Sequence, residues 1–304
     1  MSTRDRAIGA FIGLAIGDAL GTSVEFSPRG SFPPLTTIRG GGPFGLAPGQ
    51  WTDDTSMALC LAESLLHDAA LDELDLMRRF HRWFEAGENS ATGECFDIGI
   101  STRAALERFG FTGNPIAGDP APEVAGNGSI MRLAPVAVRH WRDPARARDL
   151  AERQSRTTHA AAEAVAACAL LAEVLCAAIA GAGPAALTPT PRPDWPPRIR
   201  AIAEGHWRGL DEAAIRSTGY VVDTLTAALW CAARAPDFEA AVLMAANLGD
   251  DADTVATVTG QIAGAMHGLS AIPPRWVERL HASERLLALG RALHLAGTIA
   301  AKEA

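Results

Sequence analysis

The stretch NLGDDADTVATVTGQIAGAMHG, residues 247–268, sets Asp250, Asp251 and Asp253 just ahead of a run of small and apolar side chains. Acids are favoured in a first helical turn, where free backbone N–H groups and the positive end of the helix dipole face them. A cap needs one carboxylate, and three in four residues ask for another reason. A second acidic pair, Asp53 and Asp54 in GQWTDDTSMALCLAESLL, has the same setting: a glycine-containing turn, a hydroxyl residue, the carboxylates, then a helix. The two stretches are expected to face each other across a metal site. Carboxylates and threonine hydroxyls are hard oxygen donors, and with no Cys or His beside them they favour Mg²⁺ or Mn²⁺ over zinc or copper. Asp53, Asp54, Asp251 and Asp253 bring four negative charges, which two divalent ions would neutralise. Left bare in a partly dry cleft, they would raise one another's pKa values at a cost on the order of several kcal/mol. Thr52 and Thr254, each beside a carboxylate, complete six protein ligands for two octahedral ions, with positions left for water and substrate.

The rest of the chain must present these loops. With 304 residues, 48% hydrophobic and 20% charged, it can bury a large core, and a single domain over 1–304 is expected. A net charge of −8 and a pI near 5.5 give no electrostatic footprint for nucleic acid. The opening MSTRDRAIGAFIGLAIGDALG faintly imitates a leader, yet Gly9, Gly13, Gly17 and Gly21 on one face, with Asp18 among them, read as a tightly packed helix. No run of about 18 uninterrupted apolar residues suggests a membrane span. Cys60, Cys95, Cys168, Cys176 and Cys231 have no close pairing in sequence and read as reduced core residues of a cytoplasmic protein. A monomer is expected.

Apolar spacing predicts helices over 5–21, from Thr52 or Asp53 to 70, 71–85, 97–109, 130–141 with Pro135 near its first turn, and 145–154. Further helices are predicted from beyond His159 to 182, and over 197–206, 211–215, 221–234, 238–246, 252–267 and 274–300. No alternating run asks for a strand, so the fold is all-α with loops gathered at one end. The loop 22–50, with five prolines and RGGGPFG, is too long for a plain connector and is expected to be functional. GNGS at 126–129 leads into a predicted helix start and offers a seat for an anion.

Six segments together carry a resemblance: GDALGTSVEF at 17–26, PGQWTDDTSMA at 48–58, CFDIG at 95–99, GNGSIMRLAPVAV at 126–138, SRTTHA at 155–160 and the stretch at 247–268. In this order they resemble the ADP-ribosylglycohydrolase family, in particular its bacterial dinitrogenase reductase-activating branch. The resemblance implies an orthogonal multi-helix bundle and a binuclear Mg²⁺ or Mn²⁺ site at the bottom of an ADP-ribose cleft. It assigns Thr52, Asp53, Asp54, Asp251, Asp253 and Thr254 as metal ligands and leaves Asp250 without a ligand role. Two acids off the metals, Glu25 and Asp97, compete for the proton-handling role. Asn127, Gly128 and Ser129 are implicated at the diphosphate and His159 beside the ADP-ribose. Tyr220, the chain's only tyrosine, is expected to stack on the ligand.

The implied reaction is hydrolysis of the glycosidic bond between ADP-ribose and a side chain of a modified protein, arginine by likeness to the bacterial branch. ADP-ribosylserine and O-acetyl-ADP-ribose are the alternative substrates. A non-catalytic binding or structural member is disfavoured by the intact set of metal acids.

Overall fold

Helix follows helix along the described residues, 1–300, of the computed structural model, and no β-strand occurs among them. The order is α1 (Thr3–Gly21), α2 (Asp53–His67), α3 (Glu73–Ala86), α4 (Ile100–Thr112), α5 (Ala134–His140), α6 (Pro144–Thr158) and α7 (Ala162–Ala180). Then come α8 (Pro197–Ala203), α9 (Val221–Arg234), α10 (Phe238–Ala246), α11 (Ala252–His267), α12 (Pro274–Arg279) and α13 (Ser283–Ala300). Local chemistry sets many of the ends. Ser2, Asp72, Asp143 and Asp237 accept N-cap bonds from backbone N–H groups two or three residues on. Left-handed Gly87, Gly113 and Gly181 close α3, α4 and α7, where an L side chain would be strained.

The centre of the molecule is the antiparallel pair α1 and α11. A Cβ added to Gly9, Gly13, Gly17 or Gly21 would run into the backbone of Gly264, Gly260, Ala256 or Ala252, and one on Gly260 or Gly264 would meet Gly13 or Gly9. The two helices therefore touch backbone to backbone at successive turns, which only residues without side chains permit. Helices α5, α7, α10 and α13 pack around α1, while α7, α9 and α10 pack on α11. One buried hydrophobic cluster draws its members from along the chain, from Ala7 to Leu293. Helices α1 and α7 are long and apolar enough to cross a membrane, but every residue of the apolar window of the first and most of the second lie inside the protein. Their hydrophobicity is spent on the core.

Several expected boundaries move. Asp97 does not open a helix: α4 starts at Ile100, and Asp97 has a left-handed φ of 56°. Residues 128–132 form a turn, so α5 begins at Ala134 with Pro135 in its first turn. The expected helix 274–300 is two, α12 and α13, because Ala282 turns left-handed at φ 46° between them. The expected 211–215 helix is one short 3₁₀ turn, Glu212–Ala214. All five cysteines are free thiols, and four are buried.

Candidate metal and ligand site

The backbone contact of Gly21 with Ala252 and Asp253 brings the C-terminal end of α1 to the N-terminal end of α11. A 3₁₀ turn, Thr22–Val24, then delivers Glu25. Helix α2 starts at the same place, because Asp18 of α1 reaches across to cap it. One Asp18 oxygen accepts from the N–H and Oγ1 of Thr52 at 2.9 and 3.0 Å, and the other from the N–H and Oγ1 of Thr55 at 3.0 and 2.6 Å. Thr52 caps nothing with its own side chain. The capping duty thus falls on an acid from another helix, which leaves Asp53 and Asp54 free of it. Across the gap Thr52 Oγ1 lies 3.4 Å from Asp253 Oδ2, so the two acidic stretches do face each other.

Around this contact the carboxylates accumulate. Glu25, Asp97 and Asp253 each offer an oxygen within 4.8 Å of the others. Both oxygens of Asp54, Oδ1 of Asp253 and Oε2 of Glu25 are buried without a hydrogen-bond partner. Buried polar atoms are almost always paired, and orphaned carboxylate oxygens in such a group match the demand of hard divalent cations. The orphaned oxygens of Glu25, Asp54 and Asp253 have the donor chemistry of a hard divalent-cation site, and Asp54 and Asp253 belong to the expected ligand set Thr52, Asp53, Asp54, Asp251, Asp253 and Thr254. Burial first, and neighbouring carboxylates second, raise the acids. Glu25 is pushed up to about 10 and Asp97 to about 8. Asp53, Asp54 and Asp253 are held well above the usual carboxylate range. Asp18 rises only to about 6, burial being opposed by its bonds from Thr55 and Thr52.

These shifts fix the sign of a pH effect. Between the ordinary carboxylate range and the raised values of Glu25 and Asp97, the folded protein holds more protons than the unfolded chain. Stability of the metal-free protein therefore falls as pH rises from about 5 through 8. Added Mn²⁺ or Mg²⁺ should raise Tm, by about 4 °C for one site at a hundred times its Kd, and more at pH 8 than at pH 6. Thermal melts in chelator and in metal across that range check this. A metal-free Tm that climbs toward pH 8 would contradict it.

The site opens into a cavity of about 970 Å³. Its walls include Glu25, Asp53, Asp97, Asp251, Asp253 and Thr254, the stretch Ile98–Thr102, the turn Gly126–Gly128, His159, and the strap Ser217–Gly219. Thr52 and Asp54 are fully buried and absent from its lining. Asn127 donates from Nδ2 to Asp251 Oδ2 at 2.6 Å and to Thr224 Oγ1 at 3.0 Å, so it aims a carboxylate besides facing the cavity. The strap ties the loops together: Asn127 N–H donates to the Gly219 carbonyl, Asp251 N–H to that of Ser217, and Ser217 Oγ to that of Gly249. Phe26, Asp97 and Asp250 all have left-handed φ values, between 52° and 59°, so backbone strain gathers here.

Other expected ligand contacts divide. A Cβ on Gly128 would collide with the His159 imidazole, so glycine is required where the turn crosses that ring. His159 lines the cavity, bonds Thr158 Oγ1 through Nδ1 at 2.9 Å, and is driven to about 3 by burial and by Arg132, which makes it a neutral ring. Ser129 is turned away: fully buried, its Oγ accepts from Ser155 and Cys168, so it serves packing. No helix N-terminus stands behind GNGS either. Its place is taken by Arg132, entirely buried, which donates to the Gly128 carbonyl at 3.1 Å and to Gln154 and Thr158, over the face of Phe80. Tyr220 is absent from the cavity lining. Its hydroxyl donates to Glu163 and accepts from Arg198, whose guanidinium lies 6.0 Å from the ring centre, while its backbone bridges Gly126.

Two participants were missed in the sequence. The strap Ser217–Gly219 has no signal beyond a short polar run. Asp18 had one, as a lone acid in a helix otherwise of small apolar residues. Asp18→Asn should lower metal affinity by about 10–100-fold, in the range for partners that orient metal ligands, while circular dichroism stays helical. Calorimetric Mn²⁺ titration checks it, and unchanged affinity would make Asp18 a plain helix cap.

The ADP-ribosylglycohydrolase family model matches residues 1–302. The chain is 46% identical over 290 residues to the ADP-ribosylarginine hydrolase Tri1 of Serratia proteamaculans, covering 95% of this chain and 79% of that protein. It is 34% identical to the ADP-ribosyl-[dinitrogen reductase] glycohydrolase of Rhodospirillum rubrum, covering 92% and 91% of the two. A solved structure described as an ADP-ribosylglycohydrolase-related protein complex superposes with a TM-score of 0.87 at 46% identity, over 97% of this chain and 99% of that one.

Proposed function

The chain belongs to the ADP-ribosylglycohydrolase family, and from that membership we propose that it hydrolyses the glycosidic bond joining ADP-ribose to arginine on modified proteins. The observation that carries the reading is the meeting of the two acidic stretches, with orphaned carboxylate oxygens between them. The arginine assignment is supported by relatives of 46–47% identity that are named ADP-ribosylarginine hydrolases. A cavity of about 970 Å³ is ample for a dinucleotide-sized ligand. Free, largely buried thiols support a cytoplasmic location.

The residues that would hold two Mg²⁺ or Mn²⁺ ions are Thr52, Asp53, Asp54, Asp251, Asp253 and Thr254. Such ions would supply a lowered pKa for bound water and a charge that orients the ribose hydroxyls. The chain's own groups do the rest. Asn127 holds Asp251 in one orientation. Glycosidic cleavage builds positive charge at the anomeric carbon, which fixed carboxylates stabilise. Glu25 and Asp97, each with an oxygen within 4.8 Å of Asp253, are the acids off the metals placed to handle the proton that the departing guanidine nitrogen takes up. A neutral His159 contributes a hydrogen-bonding edge without adding charge.

Calorimetric titration of ADP-ribose with and without Mg²⁺ or Mn²⁺, followed by an assay on an arginine-ADP-ribosylated protein, tests the reading. Metal-dependent binding with release of free ADP-ribose is expected. Binding without release would move the assignment to another linkage, serine next. No binding under any condition would end it.

A further inference from the structure

Three phenylalanines stand together at the edge of the cavity. Phe26 lines it and is 66% exposed. Its ring meets Phe44 edge-on, at 6.4 Å between centroids, and Phe44 meets Phe96 at 5.2 Å. Phe26 follows Glu25, and Phe96 precedes Asp97, so the chain reaches this edge twice as an adjacent carboxylate and phenyl ring. The two carboxylates converge within 4.8 Å of each other and of Asp253, and the Phe44 ring meets both of the other two.

Core packing does not account for Phe26. Its φ of 59° is a conformation that bulky L residues avoid, and its ring remains mostly in water. What holds it is reciprocal: Phe26 N–H donates to the Asp250 carbonyl at 2.7 Å, and Asp250 N–H to that of Ser27 at 2.8 Å. A ring presented at backbone cost beside carboxylates suits a planar cation. The π face attracts the charge, and the carboxylates accept from the N–H groups. A guanidinium meets both demands, and a neutral serine or acetyl group meets neither.

We propose that Phe26, Phe44 and Phe96, with Glu25 and Asp97 beside them, form the acceptor subsite that selects a guanidinium-bearing side chain. This rests on the arginine-hydrolase reading and names the residues that make the choice. The loop 22–50 enters the specificity through Phe44.

Two measurements test it. In the first, Phe26→Ala and Phe44→Ala each lower the preference for ADP-ribosylarginine over an ADP-ribosylserine peptide, as a ratio of kcat/KM, by about 5–30-fold. Phe26→Trp, which keeps an aromatic face, retains it. Equal losses on both substrates, or no rescue by Trp, overturn the proposal. In the second, protein loaded with Mg²⁺ and ADP-ribose is probed by saturation-transfer NMR with arginine methyl amide and its uncharged isostere, citrulline methyl amide. The arginine amide should bind in preference and lose that preference in Phe26→Ala; equal binding in the unsubstituted protein overturns the subsite. If no ADP-ribose is released from arginine at all, the hydrolase reading falls, while the amide pair still decides the subsite.

Discussion

Asp253→Asn eliminates measurable release of ADP-ribose, lowering kcat/KM by at least about 10³-fold, and leaves the helical fold in place. Asp253 is buried in the first turn of α11, with Oδ2 beside Thr52 Oγ1 and Oδ1 unpartnered. Asparagine has nearly the same shape, so α11 keeps its start and its seam with α1. It removes one of four metal carboxylates, and losing several kcal/mol of ion binding and transition-state stabilisation corresponds to about three or more powers of ten. A second consequence separates this from misfolding. The metal-free variant has one fewer buried carboxylate repelling Glu25, Asp54 and Asp97. It should melt no lower than the parent in chelator, while its metal-induced rise in Tm shrinks. Single-turnover assays and paired melts read both effects. Full activity in this variant would remove Asp253 from the metal site.

Gly13→Val acts on the scaffold instead. Valine at 13 drives a branched side chain into the carbonyl of Gly260 and against Phe238. Helix propensity alone would favour valine over glycine slightly. Overpacking of rigid backbone against backbone costs about 1–3 kcal/mol and often more. Because the contact repeats at successive turns, relief requires the helices to separate along their length, so we expect about 3 kcal/mol or more of destabilisation. Gly209→Ala, where an added Cβ meets nothing within 4 Å, should change stability by less than about 0.5 kcal/mol. Chemical denaturation of the two variants makes the comparison. Equal stabilities would mean that the α1–α11 seam does not need glycine.

The fold class, and the facing of the two acidic stretches, were legible because both are written in local patterns. Apolar spacing marks helices, and acids crowded beyond capping needs mark a site. The glycine face of α1 announced a close neighbour, though not that α11 would answer with Gly260 and Gly264. What stayed hidden was long-range or conformational. That Asp18 caps α2 depends on the crossing of two helices about 35 residues apart in sequence. Asp97 looked like a helix cap because a left-handed aspartate leaves no mark in the pattern. GNGS promised a helix N-terminus, but the turn lasts to Arg132, whose own bonds to Gly128 and Gln154 hold it open. Tyr220 was singled out by rarity, and its position is explained by Glu163 and Arg198, neither of which borders it in sequence.

The glycine seam also limits how the molecule moves. Two helices in backbone contact at each turn interlock like toothed rails, and the next comfortable register lies a full turn away, about 5.4 Å along the axis. A slide of that length would carry Asp253 out of reach of Thr52. The floor of the cavity therefore cannot flex by small shear and travels as one rigid piece. Adjustment to a bulky modified protein then falls to parts that are not bonded to the seam, such as the segment before α4.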